Sequence, residues 1–217
     1  MPIGDKDKPQ EYQQTGLGTL FSYIASVGKG GDAVYGATTF SYNGEETKAE
    51  VSLDGDKIFV KNFFANPTDE ISDETYEQLG EMLDGKTLHI EHCVIDGAYM
   101  DRVNLAGAHI VNASFGGTIF NMTNLTGAYM EDVNLKNTEM PLADLTGAII
   151  INSNLAGVNL KNSNLKNIKI DPDGIAGLPT YITKETNFEG ANIEGFTIHG
   201  ILVDQKAIKR YIKDFCE

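Results

Sequence analysis

Residues 103–127 read VNLAG AHIVN ASFGG TIFNM TNLTG, and the third residue of every group of five is large and apolar. The same phase holds without a miss from Ile90 to Ile170. The residue two places before each of these centres is small or aliphatic and never charged. A period of five fits neither an α-helix nor an isolated strand, whose side chains repeat every 3.6 and 2.0 residues. The pattern instead predicts short extended sides joined by corners.

The corners of such a coil lie two places after each centre. In every second corner this residue is Gly or Asn, namely Gly97, Gly107, Gly117, Gly127, Asn137, Gly147, Gly157 and Asn167. The second central residue of a type II turn needs a positive φ, which Gly and Asn adopt at low cost. The intervening corners carry other residues, such as Arg102, Met122 and Leu142, so we expect a different turn type there. Two alternating corner types are compatible with four sides per coil and not with three.

Three of the groups, at residues 103–107, 123–127 and 143–147, resemble the A(D/N)LxG pattern of pentapeptide-repeat proteins. The resemblance extends over residues 88–172, and three further groups centred on Phe188, Ile193 and Ile198 follow an insertion at 173–185. It implies a mainly β fold, a right-handed four-sided parallel β-helix. The corner argument leads to the same four-sided coil.

The two ends of the coil need caps, because a solenoid otherwise exposes strand edges. We predict a flexible N-terminus at 1–13, a small α+β capping domain at 14–85, the β-helix at 86–200 with its insertion loop at 173–185, and a C-terminal capping helix at 201–217. Within the first domain, residues 33–64 read as three strands joined by Asn43-Gly44 and Asp54-Gly55. Two helices are also expected there, one near residues 16–27 and one starting at Ser72.

Composition limits the class of protein. The net charge is −14, but residues 1–85 contribute −10 of it and residues 86–170 only −1. The two cysteines, Cys93 and Cys216, lie far apart and form no disulfide framework, which favours a cytoplasmic location, with export by a non-classical route as the alternative. We expect no integral membrane segment, because the apolar stretches are too short.

Candidate chemistry is sparse. No phosphate-binding glycine loop, nucleophile elbow or zinc spacing is present, so we expect no enzyme and no cofactor. His89 and His109 lie one predicted coil apart and should stack roughly 5 Å from each other on an outer side, with His92 nearby. We consider three interpretations: the histidines bind a metal ion, they titrate as a pair, or they are solvated surface residues. Cys93 should point inward and be inert.

One outer side carries unusual residues. Tyr99, Ile119, Met122, Pro141 and Leu142 fall on it in stacked register, where other groups have Asn, Lys or Thr. We read these five as a protein-binding or self-association face, or as a surface covered by the insertion or a neighbouring domain. The C-terminal helix, with an apolar stripe of Ile208, Tyr211, Ile212 and Phe215, is the other candidate surface for a homodimer.

The leading functional hypothesis is a non-enzymatic scaffold with an unidentified protein partner. A small domain before the repeats is similar to the layout of some bacterial secreted effectors of the family. The alternative is a DNA-mimicking protein that binds gyrase or another topoisomerase, as the family's quinolone-resistance members do. Residues 88–172 and 186–200 hold 10 acidic and 5 basic residues. Double-stranded DNA of the same length, about 24 Å, would carry about 14 charges, so the coil is a poor mimic. We expect no nucleic-acid partner.

Overall fold

The computed structural model describes residues 15–42, 45–63, 65–66, 85–171, 179–204, 206–208 and 210. Helix α1 (Leu17–Gly28) lies within that part of the chain, and further helical residues stand at 206–208 and 210. The strands there are β1 (Thr15–Gly16), β2 (Val34–Tyr42), β3 (Glu45–Asp54), β4 (Lys57–Lys61), β5 (Ala65–Asn66), β6 (Thr87–Glu91), β7 (His109–Val111), β8 (Tyr129–Glu131), β9 (Ile149–Ile151), β10 (Lys169–Ile170), β11 (Thr197–Ile198) and β12 (Ile201–Leu202).

Four rows of backbone pairing run along the repeats, and each joins a residue to its counterpart four groups of five further on. The first is the parallel ladder of β6 to β10, in which His89 faces His109. The others start with Val94 opposite Ser114, Tyr99 opposite Ile119, and Asn104 opposite Asn124. Among the described residues only the first row has continuous strands, so the sheet lies along one side and does not close around the coil. The predicted coil, in which every fourth side returns to the same row, is confirmed.

The interior of the coil is filled by the two positions that the sequence assigned to it. Leu105, Leu125 and Leu145 expose 2% or less of their surface, and the small residues Ala108 and Ala128 are fully buried. Buried threonines two places before a centre donate to a carbonyl of the preceding coil, as Thr118 does to Ile95 at 2.6 Å. The core is therefore apolar, and its hydroxyl groups have partners.

The corners differ from the prediction. The intervening corners were expected to form another type of turn, yet Arg102, Met122, Leu142 and Asn162 have φ between 57° and 60°, close to the 66° of Gly107. The 120–123 corner also has the same closing bond as the 105–108 corner, with the N–H of Thr123 donating to Phe120 at 3.2 Å. The intervening corners are therefore of two kinds. Those at 102, 122, 142 and 162 are turns like the glycine corners, so strict alternation is wrong, whereas those at 92, 112, 132 and 152 are bends and do differ.

The polar residue before each centre has a local role. The side-chain oxygen of Asn124 accepts from the N–H of Thr126 at 3.0 Å, and Asp144 accepts from Thr146 at 2.9 Å. Asn164 also joins neighbouring coils, since it accepts from Asn192 at 3.0 Å and donates to Thr146 at 2.8 Å. These bonds explain the preference for Asn or Asp at this position: its side chain satisfies a corner N–H that faces outward.

The insertion is shorter than expected. Tyr181 already pairs with Asn154, and Thr180 and Ile182 are buried, so the chain has rejoined the coil within the predicted 173–185 loop. The buried carboxylate of Asp171 fixes this return, because it accepts from the N–H of Thr180 at 2.7 Å and from its hydroxyl at 2.9 Å. The return of the chain to the coil depends on this one carboxylate, and a search for a five-residue period does not reveal such a contact.

The C-terminal cap also begins differently. Residues 201–217 were predicted to be a helix, but Ile201 and Leu202 form β12, which pairs antiparallel with β11. Helical residues follow at 206–208 and 210, and Asp204 accepts from the N–H of Ala207 at 2.6 Å as the predicted cap. Ile208 is buried, whereas Tyr211, Ile212 and Phe215 lie outside the described residues.

The N-terminal strands continue the ladder of the coil. The three predicted strands are present as β2, β3 and β4, and α1 confirms the first predicted helix. β4 pairs parallel with β6 in a register that places Phe59 opposite His89, so the N-terminal sheet and the coil share one ten-stranded sheet. The predicted helix at Ser72 and the flexible N-terminus at 1–13 lie outside the described residues.

We predict that Leu125→Asp prevents folding, because an unpaired carboxylate at this buried position would cost several kcal/mol. Circular dichroism and solubility of the purified variant check this. A soluble variant with the melting temperature of the wild type would contradict the inward assignment.

A second prediction separates the local and the inter-coil roles of asparagine. Asn124→Ala should lower the free energy of unfolding by about 0.5–1 kcal/mol and Asn164→Ala by about 1–2 kcal/mol, because Asn164 makes bonds to neighbouring coils. Urea unfolding of both variants measures the difference. Asn124→Asp, which keeps the acceptor oxygen, is the control and should unfold like the wild type. An equal loss of unfolding free energy in Asn124→Ala and Asn164→Ala would show that the side-chain bonds between coils do not contribute to stability.

Candidate functional site

The five residues predicted as a binding face lie on adjacent coils, and we call them the apolar strip: Tyr99, Ile119, Met122, Pro141 and Leu142. Tyr99 pairs with Ile119 across two coils. The N–H of Met122 donates to the carbonyl of Pro141 at 3.1 Å, which fixes the corner of one coil on the next. The register therefore brings these five residues to one side and its adjoining corner.

The apolar strip is accessible in the folded chain. Tyr99 is 61% exposed, Met122 50% and Leu142 55%, which makes them three of the most exposed large apolar residues in the described part. Ile119 and Pro141 are half-buried. The described residues of the insertion and the N-terminal domain thus leave the strip open, although the sequence allowed that either might cover it.

The backbone at the strip is unfavourable for the residues that occupy it. Met122 has φ 58° and Leu142 has φ 60°. A residue with a Cβ atom is destabilised in this left-handed region by roughly 1–2 kcal/mol, and only Gly, Asn and Asp enter it readily. Both corners therefore combine an exposed apolar side chain with a strained backbone.

A second outer feature is a row of rings, which we call the ring stack: Phe59, His89, His109 and Tyr129. They lie on β4, β6, β7 and β8, and neighbouring ring centroids are 4.9, 5.3 and 4.8 Å apart. His89 and His109 are stacked with 21° between their planes, as their separation by one full coil predicted. Sequence analysis missed Phe59 and Tyr129, although Tyr129 follows His109 by one further coil.

Charged groups surround the ring stack. Lys61 lies 4.8 Å from the centroid of Phe59 and forms an ion pair with Glu91 at 3.1 Å. The hydroxyl of Tyr129 donates to Glu131 at 2.7 Å. Burial, the neighbouring His109 and the positive charge of Lys57 lower the pKa of His89 below its ordinary value. The environment therefore favours the neutral imidazole at His89.

The histidines do not form a recognisable metal centre in the described residues, where three or more His, Cys, Asp or Glu side chains nowhere converge. His92 stands at a corner with φ 55° and is not part of the stack. Cys93 is fully buried, and burial raises the pKa of its thiol to about 12, so at neutral pH it carries almost no reactive thiolate. Within the described part, no helix has the length and apolar character needed to cross a membrane.

Comparisons with known proteins agree with the repeat architecture. A family model described as Pentapeptide repeats matches residues 98–137 and 128–167. A comparison with curated protein sequences gives no match.

Several solved structures are similar to part of this chain. Full-length QnrB1, a plasmid-mediated fluoroquinolone resistance protein, is 14% identical with a TM-score of 0.32, over 50% of this chain and 62% of that one. A pentapeptide repeat protein from the cyanobacterium Cyanothece 51142 is 22% identical with a TM-score of 0.19, over 54% and 64%. HetL from Nostoc sp. strain PCC 7120, involved in heterocyst differentiation regulation, is 13% identical with a TM-score of 0.21, over 64% and 71%.

The chain spans less than two thirds of the length of the first two of these proteins. Similarity at this level carries no argument about a shared partner. The five-residue sides, the A(D/N)LxG groups and the matching family model nevertheless agree, and residues 98–167 of this chain are pentapeptide repeats.

Proposed function

We propose that this chain is a non-enzymatic scaffold that binds another protein through the apolar strip. The observation that carries the proposal is the pairing of exposure and strain at Met122 and Leu142. Each side chain is at least half exposed, and each stands at a positive φ. Neither feature stabilises the isolated fold.

The same corner position elsewhere in the coil shows that the fold does not require these residues. The equivalent corner one coil after Leu142 has Asn162 with φ 57°, and the one before Met122 has Arg102 with φ 58°. Asn would satisfy the backbone at 122 and 142 at lower cost and would keep the surface polar. Residues held in unfavourable conformations tend to occur where a function retains them, and contact with a partner would supply that function here.

The composition of the strip suits a protein partner. Tyr99 offers a large ring with few rotatable bonds, and aromatic residues of this kind dominate the energy of many interfaces. Polar and charged residues stand at neighbouring register positions, with Asp101 before the strip and Glu139 and Lys161 after it. An apolar centre with a charged margin is the usual arrangement of such interfaces.

The same proposal has two further parts: the chain has no catalytic activity, and it is located in the cytoplasm. The support for the first is that three or more His, Cys, Asp or Glu side chains do not converge anywhere in the described residues. The support for the second is the unpaired, buried Cys93, which suits a reducing compartment. A role as a secreted effector stays a prediction, which rests on the small domain that precedes the repeats.

Charge argues against the DNA-mimicking alternative. Three of the acidic residues counted on the coil are neutralised locally, because Glu91 pairs with Lys61 at 3.1 Å, Glu189 with Lys161 at 3.3 Å and Glu194 with Lys166 at 3.0 Å. The remaining acidic groups are fewer than the about 14 phosphates that DNA would present over the same length. A protein partner that recognises the apolar strip accounts better for this surface.

We predict that the double variant Met122→Asn with Leu142→Asn is more stable than the wild type and loses its partner. The free energy of unfolding should rise by about 1 kcal/mol per site, since Asn tolerates positive φ, while the apolar contact disappears. Urea unfolding measures the first effect, and affinity capture from the native cell followed by mass spectrometry measures the second.

Arg102→Asn is the matched control, because it relieves the same strain at the equivalent corner without removing an apolar side chain. It should gain stability and keep the partner. A folded double variant that captures every protein bound by the wild type, in the same oligomeric state, would refute the binding role. Unfolding of the double variant would mean that the strip lies inside the structure.

The charge argument gives a separate prediction. Purified protein at micromolar concentration and moderate salt should leave DNA supercoiling by gyrase unchanged, because the coil carries too few negative charges to replace DNA. A supercoiling assay with a protein titration checks this, and stoichiometric inhibition would favour the DNA-mimicking alternative.

A further inference from the structure

We infer that the stacked pair His89 and His109 makes the junction between β4 and the first coils a proton-responsive seam, which loosens when His89 takes up a proton beside His109. This inference concerns the ring stack and does not depend on the apolar strip. The two surfaces lie on different rows of the coil.

The backbone holds the two imidazoles together. β6 and β7 pair in parallel with His89 directly opposite His109, and the ring centroids are 5.3 Å apart. Phe59 and Tyr129 close the stack on either side, at 4.9 and 4.8 Å. The rings therefore have little room to separate while the ladder stays intact.

The positive charges on the neighbouring strand β4 make a second proton unfavourable. β4 brings Lys57 and Lys61 next to the stack, and β6 brings Glu91, which is already paired with Lys61. β8 brings Tyr129 and Glu131, which are bonded to each other. Both carboxylates near the pair thus have other partners. Glu91 still favours the charged form of His89, but burial, His109 and the lysines outweigh it.

The hydrogen bonding around the histidine pair is also incomplete. Nδ1 of His109 is buried and has no hydrogen-bond partner among the described residues. In the unfolded chain no ladder holds the two imidazoles together, so both are fully hydrated and do not repel each other. The folded state alone therefore bears the unfavourable charge, which couples protonation to opening.

The direction of the pH effect follows from this coupling. The pKa of His89 lies below its ordinary value of 6.5, first because of burial and then because of His109 and Lys57. The folded protein therefore binds this proton less readily than the unfolded chain does. The stabilisation is complete above pH 6.5 and is lost as the pH falls through the lower pKa of the folded state.

The consequence falls on one boundary of the fold. Across it, the N–H of Thr87 donates to Asp56 at 2.9 Å and the N–H of Asn62 donates to Glu91 at 3.0 Å. These bonds join the three-stranded N-terminal sheet to the coil. Opening there would expose the first edge of the solenoid without unfolding the later coils, which are held by their own ladders.

Nuclear magnetic resonance titration of the full-length protein tests the coupling directly. In the wild type, His89 should titrate below pH 6.5, and in His109→Phe its pKa should rise by about half a unit or more, because the ring remains and the charge is gone. His199→Phe removes a histidine outside the stack and should leave the titration of His89 unchanged. A wild-type His89 that titrates at 6.5 or above, or one unaffected by His109→Phe, would overturn the inference.

Hydrogen exchange tests the location of the opening. At about pH 5 the amides of β4 and β6 should exchange about tenfold faster in the wild type than in the double variant His89→Phe with His109→Phe, while those of β9 should not differ. Comparison at one pH removes the intrinsic dependence of exchange on pH. Equal protection of β4 and β6 in both proteins would refute the seam. If the double variant does not fold, His109→Phe alone serves, with the same outcomes.

Discussion

The structure depends on the hydrogen bonding of each coil to the next. The N–H of Leu105 donates to Asn124 at 2.7 Å, and the N–H of Asn124 donates back to Val103 at 3.1 Å. Such bonds form only if the chain returns to the same row after every four sides. All sides have the same length, so every corner must carry the chain onto the next row, and the corner residues from His92 to Asn167 all have a positive φ. This explains why Met122 and Leu142 adopt a positive φ although neither residue favours it.

The same register turns sequence positions into surfaces. Residues one full coil apart become neighbours, so a substitution repeated in two coils produces a patch rather than two isolated changes. The apolar strip arises in this way from residues of three coils. The ring stack arises from four strands, one of which, β4, belongs to the N-terminal sheet. Acidic residues are distributed along the coil without such clustering, and some are paired with lysines, as Glu189 is with Lys161.

Periodic features of the fold were predictable from the sequence, and contacts outside the period were not. The buried centres, the inward position of Cys93 and the stacking of His89 on His109 follow from the spacing of one side or one coil. The pairing of Phe59 with His89 could not be predicted in this way. Strand β4 lies outside the repeats, so its register with β6 does not follow from the five-residue period. The return at Thr180 depends on the carboxylate of Asp171 rather than on a repeat. Corner conformation was predicted only in part, because residue preference was weighed without the requirement that the coil close.

The central claim is that coils in a fixed register place residues distant in sequence side by side. Double electron–electron resonance measures this on spin labels at Asn104→Cys and Asn192→Cys in a Cys216→Ser background, where the buried Cys93 would not react. These positions belong to one row, four coil steps apart through Asn124, Asp144 and Asn164. The account predicts a narrow distance distribution centred near about 19 Å, from four steps of about 4.8 Å, widened by the label linkers. A broad distribution, or a mean beyond about 30 Å, well above the sum of those steps, would contradict it.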